Sequence, residues 1–294
     1  MDINMFLKRY IYIVIASIII SGILIYPAFS TKSNHLINNV YLDENTVFVP
    51  IVMYHHIRNT NSGKNSITPS EFESDLKYLR KNNYNTITMT QLVDFVYKDI
   101  ELPENPIILS FDDGYLNTYK YAFPLLIEYD MKIVLSVIGK VTDDFTLTIS
   151  NNINTSHMNW NHLNEMILSG YVDVQNHTYN LHSTRNGRYG CAQNKDESLE
   201  SYRKVLSEDL SKLQTELMAF SGVAPSTFTY PYGKYNDNTV LIVKELGFKA
   251  SMSCLYGINK ITKDSDCLYD LKRICRSHGT PIDKLLKKAA ETVR

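Results

Sequence analysis

The chain has 294 residues, 44% of them hydrophobic, and its formal net charge at pH 7 is −1. This length and composition suffice for one large domain or two small ones with a sizeable core, and they exclude a chain that is disordered throughout. The near-neutral charge also argues against nucleic-acid binding driven by bulk positive charge, so we expect no nucleic-acid partner.

The first strong feature is an apolar segment, Tyr10–Phe29, which follows Lys8 and Arg9 and contains no charged residue. Its length matches the roughly 20 residues that a membrane-spanning helix needs. The basic flank before it predicts that the N-terminus stays inside and that the rest of the chain is exported. A cleavable signal peptide is the alternative, because Ala28–Ser30 resembles a small-residue cleavage site.

The sequence is therefore predicted to have three parts. Residues 1–30 are an N-terminal membrane anchor or signal peptide, residues 31–46 are a polar tether, and residues 47–294 are the working domain. We expect this domain to lie outside the cell, held at the cell membrane, or to be secreted if the N-terminal segment is cleaved. Because exported proteins meet oxidising conditions, one or two disulfides are compatible with the four cysteines, and so are four free thiols.

From Val47 onward, apolar runs typical of strands alternate with segments of helical periodicity. The predicted strands are "VFVPIVMY", "NTITM", "PIILSF", "KIVLSVI", "YVDVQN", "STFTYPYG" and "KASMSC". The predicted helices are "TPSEFESDLKYLRKN", "TQLVDFVYK", "NTYKYAFPLLIEYD", "NWNHLNEMILSG", "LESYRKVLSEDLSKLQTELMAFSG", "NDNTVLIVKELGF" and "IDKLLKKAAETV". This alternation predicts parallel βαβ units and an α/β fold, a (β/α) barrel that is incomplete or distorted, with its site at the C-terminal strand ends.

Three helix ends can be predicted from single residues. Thr68 is expected to cap the first helix, with Glu71 completing a capping box. Thr90 is expected to cap the second helix, and Gly222 to end the long one.

Polar side chains follow several of the predicted strands, at the rim where such a barrel carries its chemistry. They are His55 and His56 after "VFVPIVMY", Asp112 and Asp113 after "IILSF", His177 after "YVDVQN", and Tyr230–Gly233 after "STF". Each motif alone is also typical of an ordinary surface turn. Their joint occurrence at strand ends indicates a common site.

The residue types in this set suit a metal-dependent hydrolase. One of the two adjacent carboxylates can reach a metal while the other faces a bound water. His177 and His182 are five residues apart, which fits a strand end followed by a turn rather than one face of a helix. One aspartate and two histidines leave a coordination position open, as a catalytic zinc site requires.

The motifs together resemble those of the polysaccharide deacetylases of the NodB-homology type, carbohydrate esterase family 4. "SFDDG" matches the first motif of that family, "HTYNLH" resembles the second and "FTYPYG" resembles the third. The resemblance covers the chain from about Pro50 to its end and implies a metal site formed by Asp113, His177 and His182. It also implies that Asp112 is the general base and that the Tyr232 N–H stabilises the oxyanion.

The chain departs from the usual family pattern at two of these motifs. The spacing of five between the histidines is similar to that of the subgroup that deacetylates poly-β-1,6-N-acetylglucosamine. Thr229 stands where the third motif commonly has an arginine that orients the base, so Asp112 is expected to be held differently. In the exopolymer subgroup a histidine directly after a tyrosine serves as general acid, which here is His55, with His56 and His278 as alternatives.

The resemblance implies a metal-dependent N-deacetylase that releases acetate from poly-N-acetylglucosamine or peptidoglycan. Zn²⁺ is the expected metal, with Co²⁺ or Ni²⁺ as alternatives. A catalytically inert carbohydrate-binding relative is the main alternative function, because the missing arginine favours it. A hydrolase of another bond, such as a phosphoester, would usually need more carboxylates than these motifs supply.

Overall fold

The structure is a computed structural model that describes residues 46–59, 63–148, 150, 152–184, 187–222 and 224–293. The described strands are β1 (Val47–Val49), β2 (Ile51–Tyr54), β3 (His56–Ile57), β4 (Ser66–Ile67), β5 (Asn85–Thr86), β6 (Pro106–Asp113), β7 (Ile133–Val137), β8 (Val172–Asn176), β9 (Thr227–Thr229), β10 (Ala250–Met252), β11 (Asn259–Ile261) and β12 (Ile274–Cys275). The described α-helices are α1 (Pro69–Lys81), α2 (Met89–Lys98), α3 (Phe123–Tyr129), α4 (Gly139–Leu147), α5 (Trp160–Leu168), α6 (Leu199–Ser221), α7 (Asp237–Glu245) and α8 (Ile282–Ala290).

The main sheet is parallel and curls into an incomplete barrel. Its strands lie in the order β10–β9–β8–β7–β6–β2–β12, and β5 also pairs with β6. The two edges of the sheet approach each other through a short segment before β12. Leu271 N–H donates to Ser251 O, Ser253 N–H donates to Leu271 O, and Arg276 N–H donates to Met53 O, each at 2.9 Å. The predicted fold class is therefore confirmed.

Apolar residues on both faces of the sheet explain why the strands are continuous hydrophobic runs. Every residue of β6 and β7 is buried, because one face packs inside the barrel and the other packs against helices. The helices cover the outer face with their own apolar residues, such as Phe72, Leu76 and Leu79 of α1. This arrangement leaves the C-terminal strand ends as the edge where polar side chains meet.

The helix ends test the predicted caps. Thr68 caps α1 and Glu71 completes the capping box, as predicted. Helix α6 ends at Gly222 in the left-handed conformation, which is also confirmed. The predicted cap of α2 is wrong: Thr88 is the N-cap, and Thr90 donates to Asp173 instead.

Several predicted elements have different bounds in the structure. "VFVPIVMY" is two strands, because β1 pairs antiparallel with β11 and β2 pairs parallel with β6. The helix predicted in "NTYKYAFPLLIEYD" begins with a π-helical turn, Thr118–Ala122, before α3. Helix α4 and the short strand β12 were not among the predicted elements.

The predicted anchor or signal peptide, residues 1–30, lies outside the described residues, as does the tether up to residue 45. Among the residues that the structure does describe, no helix combines the length and the apolar character needed to cross a membrane. All four cysteines are described, and each is a free thiol.

Candidate active site

The two adjacent acids lie where β6 reaches the rim of the barrel. Asp112 and Asp113 pair with Ser136 and Val137 of β7 and are 3% and 6% exposed. Side chains of consecutive strand residues normally point to opposite faces. Here the backbone turns at the strand end, because Asp113 and Gly114 both have a φ of +72°. This turn allows the carboxylates of Asp112 and Asp113 to face the same site.

Gly114 is required by this turn, and its substitution is expected to destabilise the protein. A Cβ at this position would lie 3.3 Å from Val137 Cγ1, and a left-handed φ costs a non-glycine residue about 1–2 kcal/mol. We therefore expect Gly114→Ala to lower the free energy of unfolding by more than about 1 kcal/mol in urea titrations. Gly170→Ala is the matched control, because Gly170 has a φ of +76° and nothing within 4 Å of the added Cβ. Equal losses in the two variants would show that contact with Val137 is unimportant.

Asp113, His177 and His182 form a cluster whose ligand atoms all lie within 4.8 Å of one another. The Nε2 atoms of His177 and His182 are 3.4 Å and 3.2 Å from Asp113 Oδ1. That oxygen is buried and accepts no hydrogen bond from the described residues. His177 Nδ1–H donates to Thr229 O at 2.7 Å, which fixes the tautomer and leaves Nε2 facing the cluster.

The spacing of five between the histidines follows from a turn. His177 directly follows β8, and its N–H donates to Val137 O at 3.0 Å. The backbone that follows is held by the Asp209 carboxylate, which accepts hydrogen bonds from the N–H groups of Tyr179 and Asn180 at 2.8 Å each. The chain curls back and brings His182 beside His177, as the sequence predicted. One carboxylate and two imidazoles of this geometry fit a divalent metal ion.

Asp112 is held by a buried arginine that the sequence analysis did not identify. Arg273 Nη1 donates to Asp112 Oδ1 at 2.8 Å, and Arg273 Nε donates to Ser253 O at 2.7 Å. The Arg273 side chain is completely buried. Burial raises the pKa of Asp112, but the charges of Arg273, His177 and His55 outweigh burial and hold that pKa below its usual range. Asp112 is therefore ionised at neutral pH.

Arg273 explains how Asp112 is held although Thr229 stands where the third motif commonly has an arginine. The Thr229 hydroxyl bonds the Ser136 hydroxyl at 2.7 Å, so β9 offers no cation to the base. The guanidinium reaches Asp112 instead from the residue directly before β12, where this segment contacts the end of β10. The sequence feature that could have pointed to Arg273 is a basic residue at the start of the short run "RIC".

The three candidate general acids have different surroundings. His55 Nε2 lies 3.9 Å from Asp112 Oδ2, inside the site. The His56 ring stacks on Tyr115 at a centroid distance of 3.5 Å and contacts Arg58 and Asn117, and burial followed by the Arg58 charge lowers its pKa to about 3. His278 is half exposed, and its Nδ1 bonds Glu71 Oε2. Among these positions, that of His55 suits proton transfer in the site.

Tyr232 lies on a turn that follows β9 and has a φ of +57°. The next two N–H groups are used within the turn, from Gly233 to Tyr230 O and from Lys234 to Pro231 O. The Tyr232 ring centroid is 4.4 Å from that of His182, so this residue borders the cluster. The role of its N–H as an oxyanion donor stays a prediction.

Comparison with known proteins supports a family assignment. The sequence profile of the polysaccharide deacetylase family matches residues 99–251, just over half of the chain. This region contains the two acids, both histidines of the cluster and Tyr232, whereas His55 and Arg273 lie outside it.

Individual relatives agree with this assignment, and a solved structure shares the fold. The poly-β-1,6-N-acetyl-D-glucosamine N-deacetylase of Staphylococcus epidermidis is 27% identical, over 76% of this chain and 72% of its own. The Staphylococcus aureus protein of the same name is 25% identical, over 80% of this chain and 84% of its own. A de-N-acetylase structure from Aggregatibacter actinomycetemcomitans has a TM-score of 0.69 at 23% identity, covering 81% of this chain and all of its own, and so shows the shared fold.

Proposed function

Because this chain belongs to the polysaccharide deacetylase family and is a hydrolase, we propose that it removes N-acetyl groups from a polymer of N-acetylglucosamine and releases acetate. The observation that carries the proposal is the Arg273-held carboxylate of Asp112 beside the Asp113–His177–His182 cluster. The names of the staphylococcal relatives favour a β-1,6-linked exopolymer, and peptidoglycan is the second substrate to test.

The cluster residues would hold the metal, for which we favour Zn²⁺ over Co²⁺ or Ni²⁺. A bound divalent metal supplies Lewis-acid chemistry by acidifying water and polarising the acetamide carbonyl. Asp112 is ionised and accepts the proton of the attacking water. The Tyr232 N–H donates to the carbonyl oxygen as it gains negative charge. His55 then donates a proton to the leaving amine, so that the products are acetate and a glucosamine unit.

One of the two grounds for an inert carbohydrate-binding relative is weakened by the contact of Arg273 with the base. The missing arginine of the third motif was that ground, and Arg273 contacts Asp112 in its place; the other ground was that the late motifs of the family are not clear in this sequence. A binding protein would also have no need of an ionised Asp112 between the cluster and His55.

We place the catalytic domain outside the cell, because both polymers lie there. Residues 1–30 would tie it to the membrane, or would release it after cleavage. Deacetylation turns a neutral polymer into a cationic one, and such a polymer binds anionic surfaces.

Removal of the metal is expected to abolish acetate release, and its return should restore it. The exported domain from Asn38 onward would be treated with chelator and then given Zn²⁺, Co²⁺ or Ni²⁺. Acetate would be measured with β-1,6- and β-1,4-linked N-acetylglucosamine oligomers and with peptidoglycan.

Asp112→Asn is the matched control, because it removes the base without removing a residue of the cluster. It should bind metal and release no acetate. The proposed function is wrong if the metal-loaded wild-type protein releases acetate from none of these substrates.

A further inference from the structure

Two exposed tyrosine rings continue outward from the metal cluster along the rim. Tyr232 is 41% exposed and Tyr189 is 49% exposed. The Tyr232 ring centroid is 4.4 Å from that of His182, and the Tyr189 ring centroid is 5.0 Å from that of Tyr232. The three rings thus form a row that begins at the cluster and ends in solvent.

The loop that carries Tyr189 is fixed by contacts on both sides of this residue. Arg188 forms an ion pair with Glu197 at 2.5 Å, and the two side chains are 14% and 9% exposed. Arg188 Nη1 also donates to Ala192 O at 2.8 Å, and Gly190 N–H donates to Ser183 O at 2.8 Å. The Tyr189 ring is therefore presented at the surface by an ordered loop.

The same loop packs directly against the turn that carries Tyr232. Gly190 has a φ of +61°, and a Cβ there would lie 3.0 Å from Pro231 O. Cys191 Sγ donates to Lys234 O at 3.3 Å, and the buried Tyr202 hydroxyl donates to Cys191 O at 2.8 Å. These contacts set the relative positions of the two tyrosines before any ligand binds, which lowers the ordering cost of binding.

We propose that Tyr189 and Tyr232 form the subsite for the sugar unit next to the one being deacetylated. The C–H face of a pyranose is apolar and stacks on an aromatic ring, while its hydroxyl groups reach the phenol oxygens and water. The inference rests on the proposed function. It deepens that function by naming the residues that bind the neighbouring unit of the polymer.

We expect kcat/KM to depend on the number of sugar units in the substrate, and we expect Tyr189 to cause this dependence. For Tyr189→Ala, we expect kcat/KM to fall about three- to tenfold on a β-1,6-linked pentamer, which is the worth of one aromatic stacking contact. On 4-nitrophenyl acetate, which has no neighbouring sugar, the fall should be clearly smaller than on the pentamer. Tyr189→Phe keeps the ring and loses only the phenol oxygen, so it should retain more of the wild-type kcat/KM on the pentamer than Tyr189→Ala does.

Binding of the pentamer, measured by calorimetry on the zinc-loaded full exported domain, separates this inference from the proposed reaction. Tyr97→Ala is the second control, because Tyr97 is 43% exposed on α2 and does not belong to the row. If the pentamer binds in a Tyr189-dependent way while no acetate is released from it or from the other substrates, the subsite stands and the proposed reaction is wrong. If acetate is released but Tyr189→Ala binds and turns over the pentamer as the wild type does, the subsite is wrong. If the wild type neither binds nor hydrolyses the pentamer, the subsite is wrong, and acetate release from the other substrates decides the proposed reaction.

Discussion

Replacing Arg273 with methionine is expected to lower kcat/KM for acetate release about 10²-fold or more. The guanidinium fixes Asp112 Oδ1 at 2.8 Å, and misplacing a reacting group by about 1 Å can cost that much. A general base contributes about 10²–10⁴-fold to the rate, so a loss of this size lies within the contribution of Asp112. Methionine has a similar length and no charge, and it leaves the cluster of Asp113, His177 and His182 intact.

The pH profile should move in a defined direction. Burial raises the pKa of Asp112, and the charge of Arg273 is the first of the effects that lower it. Without Arg273 the pKa rises, so a higher pH is needed to ionise the base. The acid limb of kcat/KM against pH should therefore shift upward in Arg273→Met.

Arg273→Lys separates the charge from the geometry. Lysine keeps the positive charge but lacks the planar fork with which Arg273 contacts Asp112 and Ser253 O together. We expect its acid limb to stay near the wild-type position while kcat falls. Circular dichroism and thermal melting would show that each variant is folded. An unchanged acid limb in a folded Arg273→Met would show that Arg273 does not set the ionisation of Asp112.

The sequence predicted the parts of the site that lie at the C-terminal ends of apolar strands. Asp112 and Asp113 end the eight-residue strand β6, and His177 follows β8, so the apolar run marks the position of each. The turn from His177 to His182 was also predictable, because a spacing of five excludes a shared helix face. These signals are local, and the structure brings the residues together where the strand ends meet.

Arg273 could not be assigned to the site because its signal is not local. Strand β12 has only two residues, too few to show a period, and Arg273 and Asp112 are 161 positions apart. The wrong prediction of Thr90 as the cap of α2 has a similar cause. Asp173, which is 83 positions from Thr90, binds that hydroxyl and leaves Thr88 to cap α2.

Helix α4 was missed for a related reason. Its sequence begins with Gly139 and contains β-branched residues, so its intrinsic helix propensity is weak. Tertiary contacts compensate: Gly139 N–H donates to Thr178 O, and a Cβ on Gly139 would lie 2.6 Å from the Tyr179 ring. The glycine is needed for this close approach rather than for flexibility.

A second buried ion pair stabilises the rim next to the site. Asp75 and Arg276 are 1% and 3% exposed. Arg276 Nε donates to Asp75 Oδ2 at 2.7 Å and Nη2 donates to Asp75 Oδ1 at 3.0 Å, while the Tyr54 hydroxyl donates to Asp75 at 3.1 Å. Because Tyr54 directly precedes His55, and Arg276 follows Arg273 by three residues, the pair joins α1 to the end of β2 and to the residues that flank β12.

Asp75→Asn is expected to lower the free energy of unfolding by about 1–3 kcal/mol, because it replaces one of the two oxygens that accept from Arg276 with an N–H donor and leaves a buried donor without its partner. The double variant Asp75→Leu/Arg276→Met should recover most of this loss, since it buries no charge. Asp94→Asn is the matched control: Asp94 pairs with an exposed lysine, Lys98, one turn along α2, and such a pair is worth less than about 1 kcal/mol. Urea unfolding of the four proteins at pH 7 measures each value.

The pH dependence gives this pair a second test. Burial is the largest influence on Asp75 and raises its pKa from 3.8 to about 6, against the opposing effects of Arg276 and Tyr54. A carboxyl group with a raised pKa in the folded state binds its proton more tightly there than in the unfolded chain, so its contribution to stability falls as the pH rises from about 4 to about 6. The double variant lacks this titration, and its stability relative to the wild type should therefore increase across that interval. A difference that stays constant with pH would show that Asp75 does not titrate in this interval, and a single Asp75→Asn variant as stable as the wild type would show that its hydrogen bonds with Arg276 do not stabilise the fold.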